Sequence, residues 1–199
     1  MRRTALALLL VACSRAPAEP TSSGATAAAS APAPSASAKP GPVGSTGTAP
    51  AFHWTDPPSW QRRPPANALR AAQYLVPRAG GDSEDGECVI MTFGPRQGGS
   101  VEDNVKRWTE QFRGGPPPVR SSREVRGMRV TRVEAAGTYA AMAMPGAGTP
   151  PTVYPGWRLI GAIVESPSGL WFFKMTGPDA TVKASGPVLD QLVDSARSD

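Results

Sequence analysis

Cys13 stands in the setting that most narrowly specifies a reaction. The chain opens Met1-Arg2-Arg3, continues through nine uncharged residues and reaches Leu10-Val11-Ala12-Cys13. Two arginines before a short apolar run have the charge and length of an export signal, and the run is too short to span a bilayer. Leu-Val-Ala-Cys fits the bacterial lipobox, in which the cysteine thiol accepts a diacylglyceryl group and the residue becomes the new N-terminus after cleavage. Residues 1–12 are therefore read as a lipoprotein signal peptide and Cys13 as the lipidation site. Two or three acyl chains give a stable membrane anchor where one does not. Ser14 stands where an Asp would favour inner-membrane retention, which favours the outer membrane of a cell envelope. An ordinary secretory signal or a buried cysteine is the competing account, and the position of Cys13 directly after the apolar run argues against both.

The other candidates carry less. Residues 93–100, Phe-Gly-Pro-Arg-Gln-Gly-Gly-Ser, run from an apolar strand into a helix start, an arrangement that can hold phosphate on free N–H groups. The P-loop needs GxxxxGK[ST] and no lysine is present, so a tight turn with a helix cap is the simpler account. The acidic turn Asp82-Ser83-Glu84-Asp85-Gly86-Glu87 has the look of a calcium loop. With Gly86 at the sixth position it would need acids where Gly81 and Ser83 stand, so it reads as a solvated hairpin turn. His53 adjoins no nucleophile motif and reads as a surface residue. Cys88 lies in an apolar strand, has no partner once Cys13 is acylated, and reads as a buried free thiol. Glu134 and Glu165 could face each other across strands as an acid/base pair, although nothing in their spacing fixes this. One His and two Cys are too few soft ligands for a zinc site. No catalytic, cofactor-binding or metal-binding residue is assigned.

The elements that would position these residues occupy only part of the chain. Gly and Pro number 21 and 23 of 199 residues, about twice the usual share of ~12%. They concentrate in residues 14–51, where 34 of 38 residues are Ala, Pro, Ser, Gly or Thr and none is aromatic. Such a segment cannot bury enough apolar surface to offset its ordering entropy. Together with Cys13 it reads as a disordered tether, 13–51, spanning roughly 35 Å as a coil and about 125 Å fully drawn out. Of the net charge of +5, residues 1–51 carry four basic and one acidic side chain, leaving 17 and 15 for the rest. The folded part is nearly neutral, which argues against nucleic acid as a partner.

Residues 52–199 read as one α+β domain. Strand-type runs are expected at 69–76, 88–93, 128–142 with an interruption near Gly137, 157–164 and 170–176. The run 157–164 is apolar on both alternating faces, with Leu159 and Ile163 on one and Ile160, Ala162 and Val164 on the other, so both faces should be covered. A turn at 166–169 should join it to its antiparallel neighbour. The clearest helix starts at Ser100, a good N-cap with Asp103 three residues on. Val101, Val105, Trp108 and Phe112 share one of its faces, so Trp108 is expected in the core. A last helix should begin with Asp179 as cap and bury Leu189, Leu192, Val193 and Ala196, with a break or restart at Gly186-Pro187. The order implies an antiparallel sheet with a helix on one or both faces.

Five segments resemble those of a family of uncharacterised bacterial lipoproteins: Trp54-Thr-Asp-Pro-Pro-Ser-Trp60, Gly99-Ser-Val-Glu-Asp-Asn-Val-Lys-Arg-Trp108-Thr-Glu-Gln-Phe112, Gly137-Thr-Tyr139, Arg158-Leu-Ile-Gly-Ala-Ile-Val164 and Phe172-Phe-Lys-Met-Thr-Gly-Pro178. More distantly, the order of elements resembles PsbP-like domains. That resemblance implies an α/β/α sandwich and an accessory subunit that binds partners. It transfers no functional residue, and Gly186-Pro187 departs from its pattern.

Two functions are compatible with these features. One is a non-enzymatic binding or assembly module held in the envelope by its lipid anchor, with the membrane and an envelope protein as partners. The other is a small envelope hydrolase using carboxylates such as Glu134 and Glu165. The sequence names no ligand and no oligomeric state.

Overall fold

In the computed structural model the described residues are 51–141 and 152–199. The signal peptide 1–12, Cys13 and the tether through residue 50 lie outside them, as does Met142 at the end of the expected strand. In chain order the described elements are β1 (Phe52–His53), β2 (Gln61–Arg63), β3 (Arg70–Val76), β4 (Gly86–Thr92), α1 (Val101–Thr109), β5 (Phe112–Arg113), β6 (Val119–Val125), β7 (Met128–Ala140), β8 (Val153–Ser166), β9 (Gly169–Pro178), α2 (Asp179–Asp194) and β10 (Arg197–Ser198). The fold is α+β. One antiparallel sheet runs β2-β3-β4-β9-β8-β7-β5, with β6 also on β7, and β1 pairs separately with β10.

β8 fixes the layering because it is central and apolar on both sides. Ile160, Ala162 and Val164 enter a core with Phe173, Met175, Ile90, Tyr74 and the α2 residues Val182, Leu189, Leu192 and Val193. Leu159 and Ile163 enter a second core with Phe172, Val133 and Trp108 of α1. A helix thus covers each face, as the double alternation requires.

α1 forms where its stripe predicts. The Ser100 side chain accepts from the Asp103 N–H at 3.0 Å, and its hydroxyl donates to Asp103 Oδ2 at 2.6 Å. Trp108 is buried, 5% exposed. Its ring lies on the backbone of Gly161, where an added Cβ would come within 2.3 Å of it. Phe112 departs from expectation. The helix ends at the Glu110 cap, and Phe112 starts β5, paired with Tyr139. It still packs on the α1-side core, from a strand.

α2 corrects the sequence in two ways. It runs unbroken through Gly186-Pro187. An interior proline costs about 3 kcal/mol, but Val182, Leu189, Leu192 and Val193 are all buried on one side of it, and such tertiary packing outweighs propensity. Its N-cap position is Pro178, which offers no side-chain cap. Asp82, in the β3–β4 turn, takes that role: its Oδ2 accepts from the Thr181 N–H at 2.8 Å and the Thr181 hydroxyl at 2.6 Å.

The β6–β7 hairpin was not expected from sequence. It turns through Arg126 and Gly127, both at positive φ, the conformation of a tight two-residue hairpin turn. The expected interruption of β7 near Gly137 is a register shift against β8 between Gly137 and Tyr139.

Candidate functional site

α1 covers only part of its sheet face, and the remainder is a cleft of about 700 Å³. Register shows how it is built. Side chains two apart on a strand share a face, so Lys174 and Thr176 lie on the same side of β9 as the core residue Phe172. Thr176 pairs with Glu87 of β4, Glu87 with Leu75 of β3, and Gln73 with Arg63 of β2. Cross-strand partners share a face, which brings a polar floor together beside the apolar one under α1.

The wall is aromatic. Tyr139 and Tyr154 are register partners beyond the β7 shift. The Tyr154 and Trp157 rings stack at 4.2 Å, and Tyr139 lies parallel to Trp157 at 5.6 Å with an angle of 3°. Phe112 supports Tyr139 from behind at 5.1 Å. Tyr154 and Trp157 are half-buried and line the cleft.

Lys174 sits where wall meets floor. Its Nζ donates to Gln111 Oε1 at 2.9 Å and lies 5.6 Å from the Tyr139 ring centroid, within reach of a cation–π attraction. No carboxylate pairs with it among the described residues. Burial, partly opposed by the negative charge of Glu87, lowers its ammonium from the ordinary 10.5 to about 8, so it remains mostly charged at neutral pH. Glu87 is committed to Arg70 at 3.0 Å and to the Gln73 amide at 2.7 Å.

The residues singled out from sequence lie elsewhere. Glu134 and Glu165 do not form a pair. Glu134 pairs in register with Ile160 and Glu165 with Arg129, five positions apart along β8 and on opposite faces, roughly 17 Å. Glu134 is clamped between Arg132 and Arg158, the latter at 3.1 Å. Glu165 faces Arg129 at 3.8 Å. The two arginines hold Glu134 in a structural role, the Glu165 pair is a surface contact, and the two carboxylates lie on opposite faces of the sheet. In the glycine loop, the Gly98 and Ser100 carbonyls both accept from the buried Asn104 amide at 2.7 Å, and Gly98 and Gly99 take positive φ, so the loop serves as a helix entry. The acidic turn is spent on Thr181 through Asp82 and on the Arg78 N–H through Asp85. His53 is at the surface, its Nε2 2.9 Å from Asp199 Oδ2. Cys88 is a fully buried free thiol whose pKa burial pushes up. Among the described residues no group of three or more His, Cys, Asp or Glu gathers as a metal site, and no helix is long and apolar enough to cross a membrane.

Sequence reasoning missed the cleft because its residues come from six strands. One signal was present. Lys174 interrupts Leu170-Trp-Phe-Phe-Lys-Met, and a lone charge in a strand buried on both faces requires a partner or a cavity.

No protein-family model matches this sequence, and no curated protein matches it. Among solved structures, the chain is similar to cyanobacterial PsbP (CyanoP) from Synechocystis sp. PCC 6803, a solution structure, with 12% identity and a TM-score of 0.43, over 80% of this chain and 98% of that one.

Proposed function

We propose that this chain is a lipid-anchored protein of a bacterial envelope, whose domain from residue 52 binds a ligand without converting it. The observation that carries the reading is the cleft: a half-exposed aromatic wall, a polar floor and a lysine without a counter-ion among the described residues converge in a concavity of about 700 Å³, within the range of small-ligand sites. Of the two carboxylates lining it, Glu87 is held by Arg70 and Asp85 accepts from the Arg78 N–H, which leaves both poorly placed as proton carriers. The lipobox at Cys13 supplies the anchor, and residues 14–51 would let the domain reach away from the membrane surface.

Hydrogen exchange of the purified chain, with and without envelope fractions, tests the binding reading. Protection should appear at Tyr139, at Tyr154 to Trp157 and at Lys174. Protection confined to other strands overturns the cleft as the site. The anchor is tested separately: Cys13→Ala should leave the protein without acyl label and in the soluble fraction, and an acyl-labelled, membrane-bound variant would refute lipidation at this residue.

A further inference from the structure

We propose that the cleft takes a carboxylated sugar ring, packed against the outer side of the stacked Trp157–Tyr154 pair and held through its carboxylate by Lys174. This rests on the cleft being the binding site and adds the class of its ligand. Tyr154 and Trp157 cover one face of each other at 4.2 Å and stay half-exposed in the cleft, so the C–H face of a pyranose packs against the outer side of this stacked pair while the ring hydroxyls point away. The floor is unsuited to an apolar ligand. Gln111 Oε1 is taken by Lys174, but Gln111 Nε2, the Thr176 hydroxyl and the Tyr154 hydroxyl have no protein partner among the described residues, and all three residues line the cleft. A flat hydrocarbon acid would strip water from these groups and give nothing back, at a cost of about 1–3 kcal/mol for each one buried. A polyhydroxylated ring returns hydrogen bonds to them.

The charge count sets the anion. The lysine has one neutral acceptor and one aromatic face around it, so two of its three N–H donors remain for a ligand. Of the other cations lining the cleft, Arg70 is engaged by Glu87, and Arg63 stands on β2, three strands or about 14 Å across the sheet from Lys174. One free ammonium beside an amide matches one carboxylate. A phosphate seated at Lys174 would call for a second cation or forked donors on the same group, and the nearest arginine, Arg70, is held by Glu87.

Calorimetric titration of the purified full chain provides the test, with three probes: glucuronosyl-β-1,4-glucose, cellobiose as its neutral counterpart, and benzoate as a carboxylate without hydroxyls. The acidic disaccharide should bind roughly 10- to 100-fold more tightly than cellobiose, the ratio that a charge-assisted hydrogen bond supplies. Lys174→Gln should erase that difference, so that the variant binds the acidic and the neutral disaccharide alike, and Trp157→Ala should weaken both sugars. Affinity for the acidic sugar should fall as pH rises beyond the lysine's titration. Equal binding of the two disaccharides overturns the carboxylate contact, and tighter binding of benzoate overturns the sugar. Binding of the acidic disaccharide that survives Lys174→Gln removes the lysine from the site. If none of the probes binds but envelope fractions still protect the cleft strands from exchange, the ligand class is wrong and the cleft stands. If protection falls elsewhere, both readings fail.

Discussion

Sixteen residues of α2 lie on one face of the sheet and nine of α1 on the other, about 24 Å of cylinder against about 14 Å. The longer helix closes its face: the core beneath it extends from Tyr74 and Cys88 on one side to Val130 and Val164 on the other. The shorter one covers Val133, Leu159, Ile163 and Phe172 and then stops. Beyond its end the side chains change character within a single strand, from Phe172 through Lys174 to Thr176. Coverage and polarity change together, which separates a site from a packing defect. An uncovered apolar floor would be a liability; here the uncovered part is already polar and walled by aromatic rings.

The largest expected effect tests the covered half of the α1 face. Trp108→Ala should cost about 3–5 kcal/mol, the range for emptying a buried aromatic site, with Trp108→Phe much milder. Gly161→Ala should cost about 1–3 kcal/mol by overpacking, because its Cβ would meet the Trp108 ring. In a Trp108→Ala background that cost should vanish, a coupling readable in a double-mutant cycle by chemical denaturation. Additive costs would mean that the ring and the glycine do not oppose each other.

An intermediate effect tests the uncovered half. The Lys174 ammonium is lowered to about 8 in the folded protein from an ordinary 10.5. Between these values the unfolded chain binds the proton and the folded chain does not, so stability rises with pH across this window. Below it the full penalty for burying the charge applies. Lys174→Met should therefore stabilise the protein at pH 7 by about 1–3 kcal/mol and flatten the rise, as read from denaturation midpoints at pH 7, 8.5 and 10. A rise that persists in the variant belongs to another group.

The smallest effect concerns the closed face. Asp82→Ala removes the acceptor at the start of α2 and should cost about 1 kcal/mol, with Asp82→Asn retaining most of it. Urea melts of the two variants check this. Identical loss in both would assign the effect to charge and not to the cap.

Legibility in the sequence followed the distance between partners. β8 was readable because its alternation is carried by adjacent residues, and α1 because Ser100 and Asp103 are three apart. α2 was read as interrupted because a proline is a local signal and the packing that overrides it is not. Asp82 and Thr181 are 99 positions apart, with no periodicity linking them. β6 escaped because Val119-Arg-Ser-Ser-Arg-Glu-Val is exposed over most of its length, so no apolar alternation marks it. The cleft was dispersed over six strands, and only Lys174 carried a trace of it.

β1 and β10 bring residues 52–53 against 197–198, and the Asp199 N–H donates to the Ala51 carbonyl at 3.0 Å. The domain is therefore close to circular as a path. Where its covalent ends fall is a separate matter from how its sheet is wired. Joining residue 199 to residue 51 through a few glycines and reopening the chain at the Arg126–Gly127 turn would keep every strand pairing and both helices. Such a circular permutant would move the point at which any leader is attached from the β1–β10 pair to the tip of the β6–β7 hairpin.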